Sequence, residues 1–73
     1  MYSFRESTDR DDPKGTVYME NQTEEGIRFY VWNGKKWVPS ETACGAFVGF
    51  EPSRPITEAE ALKFMGVETV PSP

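Results

Sequence analysis

Two stretches of this chain are dense in β-branched and aromatic residues and alternate between apolar and polar positions, which is the period of extended chain. The first, Thr16-Val17-Tyr18-Met19-Glu20, reads as a strand. The second runs from Ile27 to Val38 and holds both tryptophans. It reads as a β-hairpin over 27–32 and 35–38 with Asn33-Gly34 as a two-residue type I′ turn, because Asn and Gly best tolerate the positive φ that such a turn needs. That turn predicts a register of Trp32 opposite Lys35, Val31 opposite Lys36, Tyr30 opposite Trp37 and Phe29 opposite Val38. Tyr30, Trp32 and Trp37 then share one face, and Ile27, Phe29, Val31 and Val38 share the other. Pro39 stops the third strand, since it has no N–H for the ladder.

A different period follows near the C-terminus. Ile56 to Gly66 reads as a short helix with clear boundaries. Thr57 caps it while Glu60, three residues on, reaches back in a capping box. Glu58 and Glu60 suit the positive end of the helix dipole and Lys63 the negative end. Gly66 suits the left-handed position that closes a helix. Ala61, Leu62 and Met65 form its buried stripe, with Phe64 at the margin. So short a helix is unstable alone and must dock on the sheet. Ser40 to Pro52, with Ala43-Cys44-Gly45-Ala46-Phe47-Val48-Gly49-Phe50, reads as a loop followed by a short strand or irregular segment packed on the sheet.

The predicted fold class is α+β: a small three-stranded antiparallel β-meander with one short C-terminal helix and flexible termini. Residues 1–14 form a mobile arm in this reading, because Ser7 to Gly15 is turn and linker chemistry. Tyr2 and Phe4 fall on one side of an extended chain there, as a short edge strand or a partner-binding tag would need. A single domain spans 15–67, and 68–73 is a flexible tail ending in Val-Pro-Ser-Pro.

Composition narrows the function. A chain of 73 residues makes one domain and is marginal without extra support. Cys44 is the only cysteine, so no disulfide forms within the chain. With no histidine and one thiol there is no zinc ligand set, and Asp9-Arg10-Asp11-Asp12 lacks the pattern of a calcium loop. No metal or cofactor is expected. The net charge of -4 argues against sequence-specific nucleic-acid binding, for which Lys35-Lys36 is too small a basic patch. Neither a membrane span nor a signal segment is legible.

Catalysis is not expected either. Histidine chemistry is impossible, and Cys44 lies among Ala43, Gly45, Ala46 and Phe47, neighbours that raise a thiol pKa rather than lower it. Glu24-Glu25 and Glu58/Glu60 fit a solvated loop and a helix start. Gly45-x-x-x-Gly49 lacks the Gly-Lys-Ser/Thr of a phosphate loop. What is left is binding. Arg28, Tyr30, Trp32, Lys35, Lys36 and Trp37 make an aromatic and basic candidate surface, of the residue types enriched at protein-interface hot spots. The alternative is that the C-terminal helix covers this face and makes it core, leaving the Ile27/Phe29/Val31/Val38 face to a partner.

In length, acidity, scarcity of cysteine and the Gly26-to-Gly45 hairpin region with its closing helix, the chain resembles the small RNA-polymerase-binding transcription regulators of lytic Xanthomonas phages. The resemblance implies a phage host-takeover protein of the host bacterial cytoplasm, a monomer when free. It would bind host RNA polymerase near the N-terminal part of the β′ subunit, displace sigma factor, inhibit initiation and promote antitermination. Asp9, Asp11 and Asp12 would steer it to a basic patch. Two other readings compete. One is an inhibitor of another host target, such as a CRISPR nuclease blocked by DNA mimicry through Asp9, Asp11, Asp12, Glu20, Glu24 and Glu25. The other is a generic protein-interaction module.

Overall fold

The computed structural model describes residues 1–73. Five strands, β1 (Tyr2–Ser7), β2 (Val17–Thr23), β3 (Gly26–Trp32), β4 (Trp37–Pro39) and β5 (Ser53–Ile56), and two helices, α1 (Glu41–Val48) and α2 (Glu58–Met65), make up the chain. The strands form one antiparallel sheet in the order β4-β3-β2-β1-β5. The three-stranded meander with one helix is therefore corrected to a five-stranded sheet with a helix on each face.

The first correction concerns the N-terminal segment, expected as an arm with flexible residues. Tyr2 to Ser7 instead forms a strand between β2 and β5, with Phe4 opposite Met19 on one side and Ile56 on the other. Phe4 is buried in the main core. The alternation of Tyr2 and Phe4 continues to Glu6, which is also buried and which Arg54 of β5 meets at 2.7 Å. A carboxylate at an inward position makes this strand look solvated until its guanidinium partner is in place.

The second correction is α1, in the segment read as loop and short strand. Ser40 caps it, its hydroxyl accepting the Ala43 N–H, and Gly49 closes it in the left-handed conformation. Ala43 and Ala46 are buried and, with Tyr18, form a second core against which Phe29, Val31 and Phe47 pack.

The hairpin register is the third correction. Trp32 lies opposite Trp37, Val31 opposite Val38 and Tyr30 opposite Pro39. No non-glycine residue has positive φ, so Asn33 does not adopt the type I′ geometry; within this turn only Gly34 has a positive φ, +98°. Asn33 acts through its side chain instead. Its Oδ1 accepts the amides of Lys35 and Lys36 at 2.9 and 2.8 Å, while its backbone N–H donates to the Lys36 carbonyl. An Asx turn thus moves the first paired residue from Lys35 to Trp37. The displacement is two residues, so every side chain keeps the face expected for it.

Each sheet face has its own cover. Phe4, Val17, Met19, Trp37 and Ile56 pack beneath Ala61 and Met65 of α2, with Tyr30, Trp32, Val67 and Val70 at the margin. The capping box of Thr57 and Glu60 is formed as expected, and Gly66 closes the helix. The Thr57 backbone N–H holds the Glu60 carboxyl below its ordinary range. Residues beyond α2 run back over the sheet, where the Trp37 indole N–H donates to the Pro71 carbonyl at 2.9 Å.

On the other face, Tyr18 reaches the 8–15 loop. Its hydroxyl donates to Asp12 Oδ2 at 3.2 Å, an oxygen that also accepts from Ser7 Oγ. Burial raises the Tyr18 phenol above 10.0; the Ser7 hydrogen bond opposes this and the Asp12 charge adds to it.

Two predictions follow from this architecture. The β1 amides should exchange as slowly as those of β2, because both strands are interior; hydrogen exchange at residues 3–6 as fast as at a chain end would show that β1 is not docked. The phenol prediction concerns alkali. Tyr18 has a raised folded pKa, so its contribution is complete below pH 10.0 and is lost as the pH climbs through the folded value. Denaturant melts of wild type and Tyr18→Phe between neutral pH and pH 11 should show a steeper alkaline fall in the wild type, and parallel curves would contradict this.

Candidate functional site

The six residues expected to form one surface are divided by the fold. Trp37 is 5% exposed and belongs to the core. Trp32 is half-buried against it, ring edge to ring face, with centroids 5.2 Å apart. The aromatic face of the hairpin is thus largely covered by α2 and the C-terminal residues. Lys35 and Lys36 are exposed on the turn, at one end of β3. Arg28 is exposed five positions before Asn33, about 16 Å away at ~3.3 Å per residue. Tyr30 lies between them, half-buried. Only Arg28 and Tyr30 of the six share a concave surface.

That surface is a cleft of about 370 Å³ lined by Ile27, Arg28, Phe29 and Tyr30 of β3, Pro39 at the end of β4, the capping Ser40, and Glu41 and Cys44 of α1. Its origin is the shortness of β4. Pro39 ends the strand and Ser40 caps α1, so the chain leaves the sheet while β3 still has four residues to run. β4 pairs only with Tyr30, Val31 and Trp32. One further bond, from the Ser40 N–H to the Phe29 carbonyl at 3.1 Å, closes the junction.

Beyond that bond the outer edge of β3 has no strand beside it. Backbone direction alternates along a strand. Phe29 faces outward toward Ser40, so Ile27 faces outward too, and its N–H and C=O have no partner in the chain. Ile27 is 54% exposed. Apolar side chains, an open backbone edge and a guanidinium therefore sit together. Both ion pairs of the molecule involve Arg54, which leaves Arg28 unpaired.

The chemistry open to this cleft is recognition. Ser40 Oγ is engaged in the α1 cap. Cys44 is a free, half-buried thiol in the wall. No group of three Cys, Asp or Glu residues converges as a metal site. Ile27 and Phe29 belong to the face that the sequence offered as the alternative partner surface; Ser40, Glu41 and Cys44 were missed beside them, because no helix was placed directly after Pro39. The available signal was Ser40 and Gly49 bracketing apolar positions 43, 46 and 47, which have helical spacing.

The acidic segment expected to steer association is not a free arm. Asp9 Oδ1 accepts the Asp11 amide at 3.0 Å, and Asp12 holds Ser7 and Tyr18. No helix is long and apolar enough to cross a membrane. The fold and site define a small α+β protein, a five-stranded antiparallel sheet between two helices, with the first half of β3 unpaired on its outer side. Comparison with family models, curated proteins and solved structures finds no match to the chain.

The division of the six residues carries its own prediction. Trp37→Ala should cost about 3–5 kcal/mol of stability, the range for truncating a buried aromatic. Lys35→Ala and Lys36→Ala should stay within about 0.5 kcal/mol of wild type, as exposed substitutions do. Urea unfolding measures all three, and a tolerated Trp37→Ala would return that side chain to the surface.

Proposed function

We propose that this chain is a protein-interaction module that acts by binding and catalyses nothing, with the cleft beside β3 as its contact surface. One observation carries the reading: the unpaired backbone of Ile27 opens onto an apolar-walled cleft beside the unpaired guanidinium of Arg28. An exposed edge flanked by side-chain pockets is the feature that strand-addition partners use. Main-chain bonds give affinity there and alternate side chains give specificity. Arginine beside aromatic and aliphatic contacts is also a common hot-spot composition.

Host RNA polymerase is the specific partner we put forward, with inhibition of initiation, sigma displacement and antitermination as consequences. Its support is the resemblance in length, composition and hairpin region. Of the other targets, a nuclease inhibited by DNA mimicry is the less favoured. Mimicry needs acidic side chains projecting from one face, and Asp12 is turned inward onto Tyr18 and Ser7 while Asp9 closes a local turn.

The test adds the purified protein to promoter-dependent transcription by the host holoenzyme and measures complex formation by calorimetry. A complex at micromolar concentration with altered initiation or termination is expected. Arg28→Ala should weaken it by about 1–4 kcal/mol, the span for an interface hot spot, with the thermal melt unchanged. No complex and no effect on transcription would remove polymerase as the partner. A complex insensitive to Arg28→Ala would remove the cleft as the contact.

A further inference from the structure

A row of aromatic rings crosses the α2 face of the sheet. Tyr2 and Phe4 have ring centroids 6.4 Å apart, Phe4 and Trp37 6.3 Å, and Trp37 and Trp32 5.2 Å. Phe4 and Trp37 in the middle are buried, while Tyr2 and Trp32 at the ends are half-buried. The indole N–H of Trp37 takes its partner from outside the sheet, the Pro71 carbonyl at 2.9 Å.

The segment that supplies this carbonyl is extended and lightly attached. Each proline fixes its own φ and pushes the residue before it out of the helical region, so Val70-Pro71-Ser72-Pro73 favours a polyproline II course. That conformation has no internal hydrogen bonds and leaves its carbonyls available to a donor. Val67 and Val70 pack against the core, and Pro71 is half-buried. The last backbone hydrogen bond runs from the Val67 N–H to the Leu62 carbonyl, and residues 68–73 make none. Their one polar tie to the rest of the chain is the indole bond to Pro71.

We propose that this aromatic row is a binding groove for proline-containing extended segments of other proteins, and that residues 67–73 occupy it in cis. Proline-rich segments dock in aromatic-lined grooves because their conformation is already fixed, so little entropy is lost on binding. Here the indole donor sets the register by choosing one carbonyl. A partner segment of Val-Pro-x-Pro chemistry replaces what it displaces, an apolar side chain for Val70 and a carbonyl for that of Pro71. The resident segment lowers the apparent affinity by the fraction of time it fills the groove, so loosening it strengthens binding. The groove lies on the α2 face, whereas α1 walls the cleft, so this second surface does not depend on the partner that the cleft takes.

Titration of the isotope-labelled full chain with the peptide Glu-Thr-Val-Pro-Ser-Pro, followed by NMR at the two indole N–H signals, tests this. Wild type should show shifts of both signals only at high peptide concentration, because its own copy of the sequence competes. Val70→Asp, and separately the pair Pro71→Gly with Pro73→Gly, should each tighten binding at least tenfold. The glycine pair keeps both valines in the core and serves if Val70→Asp does not fold. Alanine at both prolines of the peptide should weaken binding at least tenfold. Unmoved indole signals in a folded, loosened variant at millimolar peptide overturn the proposal, as does equal binding of the alanine peptide. Shifts at Ile27 and Cys44 with the indoles unmoved would put the peptide in the cleft and also overturn it. A doubled mass that excess peptide returns to 8.3 kDa would assign the groove to residues 67–73 of a second copy, which overturns it as well.

Discussion

Everything in this fold depends on the burial of β2 from both sides at once. Val17, Tyr18 and Met19 are consecutive, so their side chains alternate between faces, and none is more than 2% exposed. A strand buried on both faces needs a layer above and a layer below, and 73 residues supply only two eight-residue helices for the purpose. Such helices are too short to persist alone. Each is held by the strand it covers, and β2 is kept dry by both. Losing either helix exposes one side of β2 and uncovers the small core there, so packing on the two faces is coupled through a single strand.

The β1–β5 pair carries the polar ties that hold the helices in place, one set on each face. Toward α1, Arg5 donates to the Ser53 hydroxyl at 2.7 Å, and that hydroxyl donates to the Ala46 carbonyl. Toward α2, Glu6 meets Arg54, whose guanidinium also approaches Glu60 of the capping box at 4.0 Å. Adjacent residues of β1 thus serve opposite helices. Arg54 is half-exposed, so its pairing with Glu6 adds little net energy. Its effect is on register: a buried carboxylate without a cation is costly, and only this alignment of β5 supplies one.

Local signals were legible in the sequence, and those completed by distant residues were not. The α2 helix could be read because its cap, its reciprocal glutamate and its closing glycine lie within eleven residues of one another. The hairpin faces could be read because a register shift of two leaves parity intact. The turn itself misled: Asn33-Gly34 is equally suited to a type I′ geometry and to an Asx turn, and the pairing of Trp32 with Trp37 favours the second, with their rings in edge contact. β1 was obscured because Glu6 becomes a core residue only when Arg54, 48 positions away, is beside it. α1 was obscured by Gly45 in its interior, where Glu51 packs so closely that a Cβ would meet Glu51 Cγ at 2.9 Å. Of the candidate site, Arg28 and Tyr30 were found from residue type, and Ile27 and Phe29 from the alternation that put them on the alternative partner face. The cleft around them arises from how β4 ends, which no residue-type argument contains.

That ending links the fold to binding. Pro39 and Ser40 stop β4 after three residues and start α1 at once, because α1 must cross the sheet to cover Tyr18 and has no residues to spare for a longer strand. The early departure leaves β3 four residues longer than its neighbour. The open edge is thus a geometric consequence of covering the second face of β2 with so short a chain. The two outermost strands each carry a proline, Pro39 in β4 and Pro55 in β5; here β3 retains a hydrogen-bonding isoleucine beside an unpaired arginine. A proline at position 27 would have cost the fold no internal hydrogen bond, because the Ile27 N–H has no partner in the chain. The edge is therefore left open where closing it required only one substitution, which is the arrangement expected of a surface whose backbone groups are used by another strand.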